Sequence, residues 1–421
     1  MRCMLKSISK NNIFFRNRFA LCLFIFSVIY SVSITNRFVP WEVGQNSMYP
    51  FYAVDFSYGF ATKLLPGAIF NAIFGANATR ENATVFMSII VLLIFAGVSV
   101  LLQKFLKRVA QKNRTYAFIL VLIFLTGAYT FSIFTKTMGV LDTYWVLFTV
   151  IFFLILENKY LKFLIPLLFA GCIFVHNASI VSYIVLMSIV MLYKISRQTD
   201  KKQKMSDIVI LTVSLGVAVS LFLFFSMKEA DMVCSIDDFH KKLISHGCDY
   251  FYYYDYAFFD LYNGEQYIPD FVSNIDSPLI KLLYVIFYRI KLNIKVVMSR
   301  WQIHLTSLVL ALVILLPLIV FFMSFHKKRM KSSSGWFSKI IAVIMMLQFP
   351  FTLLTTLPFS EDITRQFTHS FLIAFTTVLC VIYDDKKQSD TFFETFKRFA
   401  DTVWCKIYIL AYVSVSVFTI V

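Results

Sequence analysis

The chain has 421 residues, 59% of them hydrophobic, 18% aromatic and only 15% charged, with a mean hydropathy of +0.72. That balance leaves too little polar surface to cover a soluble globule of this size, which excludes an ordinary soluble domain and points to lipid as the main solvent. The formal charge of +16 raises nucleic-acid binding, but the basic residues are split among short loops and form no continuous face, so no nucleic-acid partner is expected.

Roughly ten or eleven apolar runs approach the length that crosses a bilayer. They lack the period-two alternation of barrel strands, and backbone amides in hydrocarbon must find partners within the chain. The expected fold is therefore all-α: a polytopic transmembrane helical bundle forming one domain over residues 1–421.

In chain order, Arg2, Lys6, Lys10, Arg16 and Arg18 precede the first run, 20–34. The residues that follow it lack the small-x-small pattern of a signal-peptidase site, so the run is expected to stay as an anchor. A long external loop, 35–84, comes next. In it Asp55 opens a short aromatic-rich stretch that also carries Lys63. A carboxylate held above a bilayer, its pKa raised by apolar neighbours, can take a proton from an acceptor hydroxyl, and it can equally hold a divalent cation. Capping a juxtamembrane helix is the structural alternative. Asn77-Ala-Thr and Asn82-Ala-Thr match the N-glycosylation pattern.

A span at 85–102 leads to a basic loop (Lys104, Lys107, Arg108, Lys112, Arg114), and a span at 116–134 leads back out. Asp142 then stands at the outer end of the run that begins at Tyr144. An acidic residue there is costly unless it faces a polar cavity or substrate, or caps the helix. Runs 161–173 and 180–193 are broken by Phe174-Val175-His176-Asn177-Ala178-Ser179. A short hairpin at this break places His176 on the external side near Asp55 and Asp142.

After the basic residues Lys194, Arg197, Lys201, Lys202 and Lys204, a span at 208–227 opens the second long external loop, 228–300. Cys234 and Cys248 share this loop, as a disulfide or as two free thiols. Its aromatic run, which includes Tyr253, suits either sugar rings or interface packing. Residues 277–300 set Lys281, Arg289, Lys291, Lys295 and Arg300 against an apolar face of Leu283, Ile286, Phe287, Ile290, Ile294 and Val297. That is the pattern of an interfacial helix, either an anchor or a basic ledge for a lipid phosphate.

Spans at 301–324, 336–356 and 369–383 follow, with an external loop at 358–369. There Arg365 offers a planar fork for a phosphate, or an ion pair to Glu361 or Asp362. His369, like His176, is either an acid–base group or a hydrogen-bonded bystander. About two-thirds of the 40 Lys and Arg fall in alternate loops, which orients the chain in a plasma (inner) membrane with a cytoplasmic N-terminus. No Cys/His spacing matches a zinc site, and a metal ligand set is not identified.

Three of these features together resemble the GT-C superfamily of integral-membrane glycosyltransferases: Asp55 in a long first external loop, Asp142 in Leu-Asp-Thr-Tyr-Trp at the head of a span, and the short hairpin with His176. The resemblance covers about the first half of the chain. It implies that the first-loop carboxylate activates the acceptor and that the donor is a sugar on a polyprenyl phosphate presented from the bilayer. Many members carry two acidic residues close together in that loop, whereas Asp55 has no near acidic neighbour, so the resemblance implies no particular metal ion.

The expected activity is transfer of a glycosyl unit from the polyprenyl-phosphate donor to a glycan or lipid acceptor on the external face, in surface polysaccharide or glycoconjugate assembly. Asp55 serves as base, with Asp142 and His176 positioning the reacting groups. Lys63, Arg365, His369, Tyr253, Lys291 and Lys295 lie on the substrate side, among membrane lipids. A polysaccharide polymerase of the same pathway is one alternative. A lipid-linked glycan carrier or flippase is another, although it calls for polar residues midway along several spans, and these have almost none.

Overall fold

The computed structural model describes residues 18–35, 49–127, 141–227, 231–245, 261–262, 265–266, 270–299, 301–333, 335–356, 363–403, 406–408 and 410–412. The helices in chain order are α1 (Arg18–Thr35), α2 (Pro50–Ala53), α3 (Leu65–Phe74), α4 (Arg80–Arg108), α5 (Arg114–Thr126), α6 (Asp142–Ile155), α7 (Ile165–Val175) and α8 (Tyr183–Arg197). They continue with α9 (Lys201–Met227), α10 (Ile236–Ser245), α11 (Asp270–Ser273), α12 (Pro278–Ser299), α13 (Trp301–Ser332), α14 (Trp336–Thr356), α15 (Ile363–Asp384) and α16 (Lys386–Ala400). The strands among the described residues are two pairs of two-residue segments: β1 (Gly59–Phe60) with β2 (Asp231–Met232), and β3 (Leu261–Tyr262) with β4 (Glu265–Gln266). The fold is all-α.

Among the described residues, five helices are long and apolar enough to cross a membrane: Arg80–Arg108, Asn177–Arg197, Lys201–Ser226, Trp336–Thr355 and Gln366–Asp384. Several of the other apolar runs fold as shorter helices, such as Asp142–Ile155 and Leu161–Val175. The run at 116–134 is helical to Thr126 and then passes out of the described residues.

Helix ends also move. The first loop closes at Thr79, whose hydroxyl accepts from the Asn82 N–H at 3.3 Å and caps α4. With Glu81 in the first turn and Lys107 and Arg108 in the last, both ends of α4 suit its dipole. The expected loop at 358–369 is helical from Ile363, so Arg365 and His369 lie on α15. Lys327, Lys328 and Arg329 belong to α13, and Arg329 is buried with its guanidinium 4.6 Å from the centre of the Tyr193 ring.

Polar contacts fix the direction of the central helices. At their C-terminal ends, Arg108 of α4 pairs with Glu157 just past α6 (3.2 Å) and with Asp384 of α15 (3.8 Å). Lys194 of α8 reaches Glu157 at 3.7 Å, and Arg197 pairs with Asp385. Residues near the N-terminal ends of α6, α8 and α15 meet at Asp142, Tyr183 and His369. These helices therefore run the same way, with the basic clusters at one end. At the other end β1 pairs antiparallel with β2, and the Val233 N–H donates to the Tyr58 carbonyl at 2.8 Å. The two long loops are thus joined to each other.

The helix α12 forms where the amphipathic pattern placed it, with Leu283, Phe287, Ile294 and Met298 exposed along one side. An amphipathic helix the spans did not announce, α16, starts at Asp385, whose side chain accepts from the Lys387 and Gln388 N–H groups. It buries Phe392, Phe393 and Phe396. Cys234 is a free thiol, and Cys248 lies outside the described residues.

Helices α4 and α6 approach closely at Gly97, where an added Cβ would stand 2.3 Å from Cγ1 of Val150. Small residues permit such contact between helices where lipid offers no hydrophobic drive to associate. Gly97→Val is expected to push the pair apart and lower stability by about 1–3 kcal/mol. Thermal unfolding in detergent micelles checks it, and a wild-type midpoint in the variant would mean that the contact carries no weight.

Candidate functional site

Asp142 occupies the first turn of α6 and is almost fully buried. It does not cap the helix. Leu141 holds that position without a side-chain bond, and the Asp142 carboxylate Oδ2 lies 3.0 Å from Nε2 of His369. Nδ1 of His369 is in turn 2.7 Å from the Tyr183 hydroxyl. Both contacts are satisfied when Nε2–H donates to the carboxylate and the tyrosine O–H donates to Nδ1. His369, expected in a wet loop, is buried at 3% exposure.

Trp145, one turn after Asp142, holds this group together. Its indole N–H donates to the Cys172 carbonyl at 3.1 Å, and its ring lies 5.6 Å from His176, 5.8 Å from Tyr183 and 6.1 Å from His369 between centroids. His176 ends α7, and its Nδ1 accepts from the Ala178 N–H at 3.1 Å to start the short turn Asn177–Val181. The break between the two short runs therefore forms as expected, and it brings His176 against Trp145.

The first loop is seated on the same break. Phe174 packs between Phe56 and Phe60 at 6.2 and 6.1 Å. The Lys63 N–H donates to the Phe174 carbonyl at 2.8 Å. Lys63 takes φ 74° to make this bond, a left-handed conformation that a residue with a Cβ adopts only when its surroundings hold it there.

Asp55 is the N-cap of the turn Phe56–Tyr58: Oδ1 accepts from the Ser57 N–H at 2.8 Å and Oδ2 from the Asn71 amide at 2.7 Å. Burial pushes its carboxyl up, but the bonds from Ser57 and Asn71, with the charge of Lys242, outweigh that and hold it below the ordinary carboxylate value. This reverses the expected rise, because the donors at both carboxylate oxygens together outweigh the desolvation. Gly67 permits the close approach, since an added Cβ would sit 1.7 Å from the Val54 carbonyl oxygen.

The other expected positions are not gathered here. Lys291 is exposed on α12. Tyr253 and the side chains of Lys295 and Arg365 lie outside the described residues. Among the described residues no three His, Cys, Asp or Glu side chains stand close enough together to hold a metal ion. Tyr183 and Trp145 were missed as site residues, although Trp145 stands three residues after Asp142 and Tyr183 opens the helix after the break. Compared with known proteins, the chain matches no family model, no curated protein and no solved structure.

Two outcomes test this geometry. Asp142→Ala strands the buried His369 N–H and is expected to cost about 1–3 kcal/mol. A thermal double-mutant cycle of Tyr183→Phe with Asp142→Ala should show coupling of about 0.5–3 kcal/mol through His369, whereas additive losses would dissolve the relay. For Asp55, a folded-state value below the unfolded one gives stabilisation that is present above the unfolded value and lost as pH falls through about 4 and below. Amide exchange at Ser57, followed from pH 6 to pH 3, should lose protection on that descent.

Proposed function

We propose that the chain is an integral-membrane glycosyltransferase of surface polysaccharide or glycoconjugate assembly, using a polyprenyl-phosphate-linked sugar on the external face. The observation that carries this reading is the convergence of Asp142, His176 and His369 around Trp145, against a first loop that holds Asp55 and Lys63. The five apolar helices support a multi-pass bundle in the plasma (inner) membrane. The basic residues at the C-terminal ends of α4 and α8 support a cytoplasmic placement for that end, with the N-terminus on the same side.

In this reading an acceptor hydroxyl attacks the anomeric carbon as the carbon–oxygen bond to phosphate breaks, and polyprenyl phosphate leaves. Asp55, held ionised by its donors, takes the hydroxyl proton as that bond forms. Lys63 and Arg365 are the residues assigned to neutralise the departing phosphate charge. Asp142 fixes the orientation of His369, and His176 is the second imidazole at the Trp145 ring.

Asp55→Asn is an informative substitution, because asparagine still caps the Ser57 N–H and a flipped Asn71 amide still bonds it. Only the charge is lost. Release of polyprenyl phosphate from labelled lipid-linked sugars by purified protein is expected to fall about 10²- to 10⁴-fold. No release by the wild-type chain from any lipid-linked sugar, or equal release by the variant, would remove the proposal.

A further inference from the structure

An elongated cavity of about 140 Å³ lies between α4, α6, α8 and α15. It reaches from Tyr183 to Lys194 along α8, which at the helical rise is about 16 Å. Val98, Val150, Leu186 and Leu379 are among its walls. Spread over that length, the volume admits a single hydrocarbon chain. Tyr183, at 1% exposure, closes one end. The other end reaches the surface, where Lys104, Glu157, Lys194, Tyr383 and Asp384 line it and the Glu157 side chain is 36% exposed.

The charges at this mouth do not balance. Arg108 and Lys194 are matched by Glu157 and Asp384. Lys104 lines the cavity and makes no ion pair among the described residues. An apolar bore with one surplus cation at its entrance fits an anionic head on a hydrocarbon tail, since a neutral lipid would leave Lys104 unmatched and free phosphate would leave the bore empty.

We infer that this cavity binds one tail of a phosphate-headed membrane lipid, its phosphate on Lys104 and its tail end against Tyr183. The phosphate end lies at the opposite end of the bundle from the first loop, while the tail end reaches Tyr183 beneath the Asp142–His369 pair. The inference rests on the membrane reading but not on sugar transfer, and its measurement involves no turnover, so either can fail without the other.

The full chain in phosphatidylcholine nanodiscs is irradiated with a phosphatidic acid carrying an acyl diazirine, and in parallel with a diacylglycerol carrying the same chain. Phosphatidic acid is expected to label peptides containing Val150 and Leu186 at least fivefold more than diacylglycerol does. Lys104→Ala removes that excess, and Lys104→Arg restores it. Leu379→Trp fills the bore and abolishes the cavity labels, while the exposed positions Leu93 and Val209 still react. Inorganic phosphate does not compete. Equal labelling by the two probes, labels confined to Leu93 and Val209, or displacement by inorganic phosphate would each overturn the assignment.

Discussion

The bond between Asp142 and His369 is the constraint on which the arrangement of the core depends. A carboxylate buried at a helix end inside an apolar bundle is tolerated only with a hydrogen-bonded partner. That partner stands 227 residues further along the chain. The pairing therefore fixes α15 against α6, and the Tyr183 hydroxyl on the other face of the imidazole fixes α8 against both. Trp145 extends the same cluster to the end of α7, and through Phe174 to the first loop. A polar requirement of a single side chain thus organises segments that hydrophobic packing alone leaves free to slide.

The opposite end of the bundle solves its polar problem differently. There Arg108, Lys194 and Arg197 interleave with Glu157, Asp384 and Asp385. Several of these groups keep contact with water, as the 49% exposure of the Arg108 side chain indicates, so each pair adds little by itself. Their collective effect is positional: four helix ends are held within reach of one another. With close bonding at one end and looser ion pairing at the other, the space between the helices need not be filled completely, and that is where the cavity lies.

Much of this was legible in the sequence, because apolar runs and basic clusters report directly on helix length and end chemistry. The run 336–356 and the helix Trp336–Thr356 coincide, and the break around His176 was visible as two short runs. The pattern places Asp142 and His176 at one end of the bundle but does not show the Asp142–His369–Tyr183 relay. Its central member, His369, reads as a loop residue because hydropathy cannot place a helix start among Glu361, Asp362 and Arg365. The direction of the Asp55 shift was misjudged for a related reason. Neighbours in sequence are aromatic, whereas its hydrogen-bond partner Asn71 is 16 residues away. The helix α16 was overlooked although its phenylalanines recur at helical spacing, because a search for spanning runs passes over a short amphipathic segment.

The pairing of Gly59 and Phe60 with Met232 and Asp231 also orders events in time. The second strand is synthesised roughly 170 residues after the first, and at about 5–20 residues per second that interval is on the order of ten to thirty seconds. Throughout it, the earlier strand edge has no partner from the chain itself. The nascent polypeptide must therefore keep that edge from foreign pairing until α9 has emerged, which makes the ribosome-bound half-chain the stage most exposed to misassembly.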